Sequence, residues 1–180
     1  MKYLVLLSCL ILLFGCSKKD ATSPATAHFQ DYTGRDAKGM LFGPIDTTDW
    51  TLDTTWNSTE TGLFSKYNLS FNQQTVVASM WKPALRPNPV AVGSQSTLVI
   101  TVDKANPSVP AAVRMAFAVV DANYTILSWG DVDDVNKQFG AVITHEASKY
   151  KGNTLYRLYY VVYDELNLHV YYKGHGDIQL

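Results

Sequence analysis

Cysteine is nearly absent. The 180 residues hold two, Cys9 and Cys16, both close to the N-terminus. From residue 17 onward there is none, so no disulfide staples the fold and no thiolate serves a metal site, and burial and hydrogen bonding must do the work. An excess of one charge is also lacking. Fifteen Lys and Arg stand against sixteen Asp and Glu, for a net charge of −1. That balance excludes the basic face that nucleic acid requires and the polybasic patch of electrostatic membrane binders. No apolar stretch reaches the roughly 20 residues of a spanning helix; the run Tyr3 to Phe14 has twelve. Short catalytic motifs are missing too. There is no Gly-x-Ser-x-Gly elbow and no glycine-rich phosphate loop. His145-Glu146 does not open a zinc-protease motif, because Lys149 stands where the second His belongs. His145 is expected instead at the exposed end of a strand. The reading is therefore of no catalytic residue and no metal ligand set.

The N-terminus carries the most information. Lys2 supplies a positive start, Tyr3 to Phe14 an apolar segment, and Leu13-Phe14-Gly15-Cys16 places Leu at −3, a small residue at −1 and Cys at +1. This box resembles the bacterial lipoprotein signal. The resemblance implies that residues 1–15 are a signal peptide, that the Cys16 sulfur is diacylglycerated, and that the new amine is often acylated as well. Two or more chains hold a protein stably on a bilayer where one does not. Ser17, read by the enteric sorting rule, implies the outer membrane of a Gram-negative cell envelope. Residues 16–27 read as a lipidated tether: they are small and polar, contain Pro24 and show no apolar periodicity. A flexible segment of that length reaches about 20 Å. The lipid on Cys16 is the only cofactor-like group expected.

Residues 28–84 read as an irregular N-terminal extension. It holds Trp50, Trp56 and Trp81, and an echo in which Asp46-Thr47-Thr48-Asp49-Trp50 is followed by Asp53-Thr54-Thr55-Trp56. Asp and Thr side chains bond to nearby amides, so these are expected to be turns or helix starts. Asn57 with Glu60 has the spacing of a capping box, which predicts a short helix over about 58–66, weakened by Gly62.

From residue 85 the pattern becomes that of strands. Thr97 to Val102, Val113 to Val120, Tyr124 to Trp129, Phe139 to Thr144, Leu155 to Tyr163 and Leu168 to Tyr172 are β-rich runs separated by turn signals. No helix-length periodic segment interrupts them, so the fold class expected is mainly β, an antiparallel sandwich over residues 85–180. Gly152-Asn153-Thr154-Leu155-Tyr156-Arg157-Leu158-Tyr159-Tyr160 resembles the penultimate strand of immunoglobulin-like and fibronectin-like domains. That resemblance makes Tyr156 the candidate for a tyrosine corner.

Few residues suggest a site. Asp131 and Asp133 fit the first two ligand positions of a calcium loop, but Val135 breaks the third and no Gly or closing Glu follows. His169 and His175 share a strand face, but roughly 20 Å apart at strand rise, too far for one ion. Gly174-His175-Gly176-Asp177 is expected to form a glycine-flanked bend. On Leu155 to Tyr163 both faces are apolar or aromatic, so one meets the core and the other needs a cover: the tryptophans of the extension, a partner or a ligand. Tyr159, Tyr163, Tyr171 and Trp129 are the candidate contacts for a ligand such as a glycan, since aromatic rings offer apolar area with a polar tip. The functional expectation is an envelope interaction or adhesion module with a protein or glycan partner. The alternatives are a glycan binder that uses the Tyr/Trp surface, and a hydrolase whose scattered site would appear as a pocket of converging Asp, Glu or His.

Overall fold

The computed structural model describes residues 26–72, 81–102, 113–133 and 138–180. The segment 1–15 expected to be a signal peptide, Cys16, most of the expected tether, the side chain of Trp81 and Asp134 lie outside the described residues.

Among the described residues seven strands form two antiparallel sheets. They are β1 (Trp81–Arg86), β2 (Gln95–Val102), β3 (Val113–Val120), β4 (Ile126–Asp133), β5 (Gln138–Thr144), β6 (Leu155–Asp164) and β7 (Val170–Gln179). One sheet has the order β1-β2-β5 and the other β4-β3-β6-β7, the arrangement of an antiparallel β-sandwich. The strand at 81–86 was not expected. It contains Pro83, which a central strand does not tolerate, but β1 is an edge strand and has no need of that N–H on its outer side.

The core between the sheets is built from alternate residues. Leu85, Leu98, Ile100, Phe139, Ala141 and Ile143 of the smaller sheet meet Met115, Phe117, Val119, Tyr156, Leu158, Tyr160, Val162, Tyr172 and Ile178 of the larger. The other face of β3 and β6 is also buried. Ala116, Ala118, Val120, Tyr159, Val161 and Tyr163 lie under Phe64, with Trp56, Leu63, Tyr67, Leu69 and Phe71 packed around them. The described residues thus form three layers, and residues 56–71 supply most of the third. β6 is apolar on both faces because it is the middle layer.

Local chemistry sets this cover in place. The helix α1 (Ser58–Gly62) starts at Asn57, whose side chain accepts from the Thr59 and Glu60 amides while Glu60 accepts from the Asn57 amide. That capping box is the one its spacing predicted, although the helix stops at Gly62 and continues only as a 3-10 turn at Ser65–Tyr67. The second Glu60 oxygen accepts from the Tyr159 hydroxyl at 3.1 Å, so one carboxylate closes the cap and fastens the helix to the sheet. Trp56 meets the Tyr159 ring edge-on and donates its indole N–H to Asp53.

The end of the sandwich between β5 and β6 is tied by Tyr156. Its hydroxyl accepts from the Lys151 amide at 2.7 Å, the geometry of a tyrosine corner. His145 lies beside it and corrects the expectation of exposure. It is fully buried, edge-on to Tyr150, and within 2.8 Å of the Ser96 hydroxyl on β2. Among the described residues no helix is long and apolar enough to cross a membrane.

Candidate functional site: the covered edge of β7

Among the described residues β7 has no neighbouring strand on its outer side, and an open edge strand invites pairing with other chains. Residues from three separate stretches, 49–53, Ser70 and Asn88, fill that edge. The Trp50 amide donates to the His175 carbonyl and the Asp53 amide to the Lys173 carbonyl. The Asp177 amide donates to the Asp49 carboxylate at 2.7 Å, and the Gln179 amide to the Asn88 side chain. Ser70 bridges Val170 and Leu168. Gly174 and Gly176 make this approach possible. A Cβ on Gly176 would overlap the Trp50 ring, and one on Gly174 would overlap the Thr51 carbonyl and the Tyr160 hydroxyl. The Gly-His-Gly-Asp segment is therefore not a bend but the continuation of the strand to Gln179. Its glycines admit the covering chain.

Along this edge lies a cavity of about 290 Å³ lined by His28, Gln30, Asp46, Thr48, Arg157 and His175. Behind it stand Asp49, Asp53 and Asp177. Asp46, Asp49 and Asp177 bring carboxylate oxygens within 4.8 Å of one another, a metal-like grouping among the described residues. Five of its six carboxylate oxygens already accept a bond. One Asp49 oxygen accepts from the Asp177 amide and the other from the Thr33 amide. Both Asp177 oxygens accept from the Arg157 guanidinium, at 2.6 and 2.8 Å, across the β6–β7 pair in which the two residues are direct partners. Asp46 accepts from the Thr48 amide and hydroxyl. A cation would have to replace these bonds and expel the arginine, so the cluster reads as a staple between the covering chain and β7.

The electrostatics follow from burial. Burial lifts the Asp49 carboxyl to about 7, helped by the Asp177 charge and opposed by its two amide bonds. Burial also raises Asp177, against the pull of Arg157. Burial pushes Asp46 upward as well, but its bonds to Thr48 and the charges of Arg157 and His175 outweigh this and hold it below the usual range. Arg157 sits over the Phe29 ring and donates to the His28 carbonyl.

One pair in the cavity has chemical potential. His175 Nδ1 is 2.6 Å from Asp53 Oδ2. The carboxylate accepts, so Nδ1 carries the proton in the neutral ring and Nε2 is the basic nitrogen. Lys173, buried beside them, donates to the Asp53 and Thr54 carbonyls, and burial lowers its pKa.

The residues singled out in the sequence fall elsewhere. Tyr159 and Tyr163 are buried under the third layer and offer no face to a ligand, which corrects that expectation: the covering chain had no strand signal of its own to announce its position. Tyr171 is half-buried and donates its hydroxyl to Asp164, which also accepts from the Leu166 and Asn167 amides in the β6–β7 turn. Trp129 is 59 % exposed on the edge strand β4, with the Lys66 ammonium over its ring. Asp131 and Asp133 do not converge on an ion site. Both pair with Arg114, at 2.6 and 3.1 Å, and Glu165 joins them at 3.1 Å, so one guanidinium meets three carboxylates. His169 lies just before β7, far along the strand from His175. The β7 edge cluster was missed because its parts lie more than a hundred residues apart. Its local signals were the Gly-His-Gly-Asp segment and the Asp-Thr-Thr echo over 46–56.

No protein-family model matches this chain, and neither does any curated protein.

Proposed function

We propose that this chain is a lipid-anchored protein of the bacterial cell envelope that acts by binding, not by turnover. The lipoprotein box at Leu13 to Cys16 supports the anchor. The reading of the fold as a binding scaffold rests on one observation: at the β7 edge each carboxylate oxygen of the buried Asp49 and Asp177 already accepts a bond, from the Thr33 and Asp177 amides or from Arg157. Groups so committed stabilise a surface and leave little to polarise a substrate. A membrane-confined sandwich then presents its rigid outer features, among them Trp129 at the β4 edge, to an envelope partner.

Photo-crosslinking from position 129 in the bacterium tests this. A discrete cross-linked species, lost when the probe is moved to the buried position 160, is expected. A smear or no product at several exposed positions would count against it.

The Asp53–His175 pair favours a second reading, hydrolysis, because its basic nitrogen belongs to a ring that lines the cavity. Turnover on a panel of esters, phosphates or glycosides that disappears in His175→Ala would establish that reading and overturn the first.

A further inference from the structure

Eight large apolar side chains are exposed among the described residues, and four of them fall within one six-residue stretch. Met40, Leu41, Phe42 and Ile45 are 68, 51, 48 and 60 % exposed. Scattered apolar residues on a surface are ordinary, but a contiguous group marks a contact. The stretch is not a loose loop. The Phe42 amide donates to the Gly34 carbonyl and the Gly34 amide to the Pro44 carbonyl. Asp36 folds back to accept from the Lys38 and Met40 amides. Arg35 donates to the Gly39 carbonyl and Arg86 to the Lys38 carbonyl. The hairpin is thus rigid before it meets anything, and little ordering is left for binding to oppose.

Its place in the fold indicates what it meets. Arg35 bridges to Asn88, which follows β1 and bonds to Gln179 at the end of β7. The described chain begins at the same end of the sandwich: the Ala27 amide donates to the Ala122 carbonyl in the β3–β4 turn. Ala122 and Asn88 are separated by a few strand spacings, roughly 10–15 Å. Only ten residues join Cys16 to Thr26, a reach of at most about 35 Å when fully extended. A lipid on Cys16 would therefore hold this end of the sandwich, and with it the apolar hairpin, near the bilayer. Arg35, Lys38 and Arg86 lie beside Asp36 and Asp46 at this stretch, so the apolar side chains and not an excess of charge would carry the contact.

We propose that the hairpin Gly34 to Ile45 is a membrane-contact element. Met40, Leu41, Phe42 and Ile45 enter the headgroup–acyl boundary of the bilayer and fix the orientation of the sandwich on its anchor. The inference rests on the lipid-anchor reading, and its test is arranged so that the two can fail separately.

The test uses residues 17–180 with Cys16 replaced by an N-terminal histidine tag, held on vesicles of phosphatidylethanolamine and phosphatidylglycerol containing a nickel-chelating lipid. No native cysteine is left, so Leu41→Cys and Leu166→Cys each take one environment-sensitive fluorophore. Leu166 is more exposed, at 81 %, and lies in the turn at the opposite end. Emission from position 41 is expected to shift to the blue and to be quenched by acyl-chain bromolipid, with neither change at position 166. Water-like, unquenched emission at 41, or equal quenching at both sites, would overturn the proposal. Cross-linking of position 41 to a protein in cells, together with unquenched emission, would assign the hairpin to a protein partner instead. Whether native Cys16 carries lipid is read independently from its mass, so a failed anchor does not alter the vesicle result.

Discussion

The Trp50 ring occupies the space that a side chain on Gly176 would need. It stacks on Tyr160 at 6.3 Å between ring centroids, which joins the covering chain to the inter-sheet core. Gly176→Ala forces the ring or the strand to move and should cost about 1–3 kcal/mol, the usual range for overpacking. Urea unfolding measures it. The two residues share one space, so Gly176→Ala combined with Trp50→Ala should cost less than the sum of the single changes.

The Tyr156 corner has a smaller, local value. Tyr156→Phe removes the acceptor of the Lys151 amide and should cost about 1 kcal/mol. Hydrogen exchange at the Lys151 amide should speed up before global unfolding does. An unchanged exchange rate would mean that this bond does not order the turn.

Arg157 neutralises a fully buried Asp177. Arg157→Met leaves that carboxylate unpaired and should cost about 3–5 kcal/mol. Removing both charges, as Arg157→Met with Asp177→Asn, should recover part of the loss, because the larger penalty is that of an isolated buried charge. Thermal unfolding of the three proteins at one pH checks the order.

Two buried groups give opposite pH dependences. Burial depresses His145 from 6.5 to about 4. The unfolded chain takes up this proton first, so the stability contributed by neutral His145 is present above pH 6.5 and is lost as pH falls toward 4. Burial raises Asp49 from 3.8 to about 7. The folded chain holds this proton longer, so its contribution is present below about 3.8 and is lost as pH rises through 7. Over the shared window the two slopes oppose one another, and the native protein should show a shallow profile. His145→Gln should leave stability falling with pH, and Asp49→Asn should leave it rising. Melting temperatures between pH 4 and 7 decide this. Parallel profiles for all three proteins would contradict it.

Legibility in the sequence followed the range of the interaction. β3 was readable to the residue, because alternation and turn signals are local. The Asn57–Glu60 capping box and the Tyr156 corner are also short-range and were readable. The β1 strand was not: Pro83 argues against a strand until its edge position is known. β7 was cut short at Tyr172, because Gly174 and Gly176 look like a bend when Trp50 is not in view. The apolar second face of β6 was visible in the sequence, and so was the extension as one of its possible covers; Trp56 packs there, while Trp50 joins the inter-sheet core. At the β7 edge, Asp49 and Asp177 are 128 residues apart, and no local pattern joins them. His145 was misplaced for the same reason, since its hydroxyl partner Ser96 is 49 residues away.

The intact mass of the protein extracted from its native cells decides whether Cys16 is an anchor. A lipid-anchored protein begins at Cys16, and its mass exceeds that of residues 16–180 by a diacylglyceryl group, with or without a further acyl chain. A chain that retains residues 1–15, or a Cys16 with a free thiol, would contradict the proposed anchor.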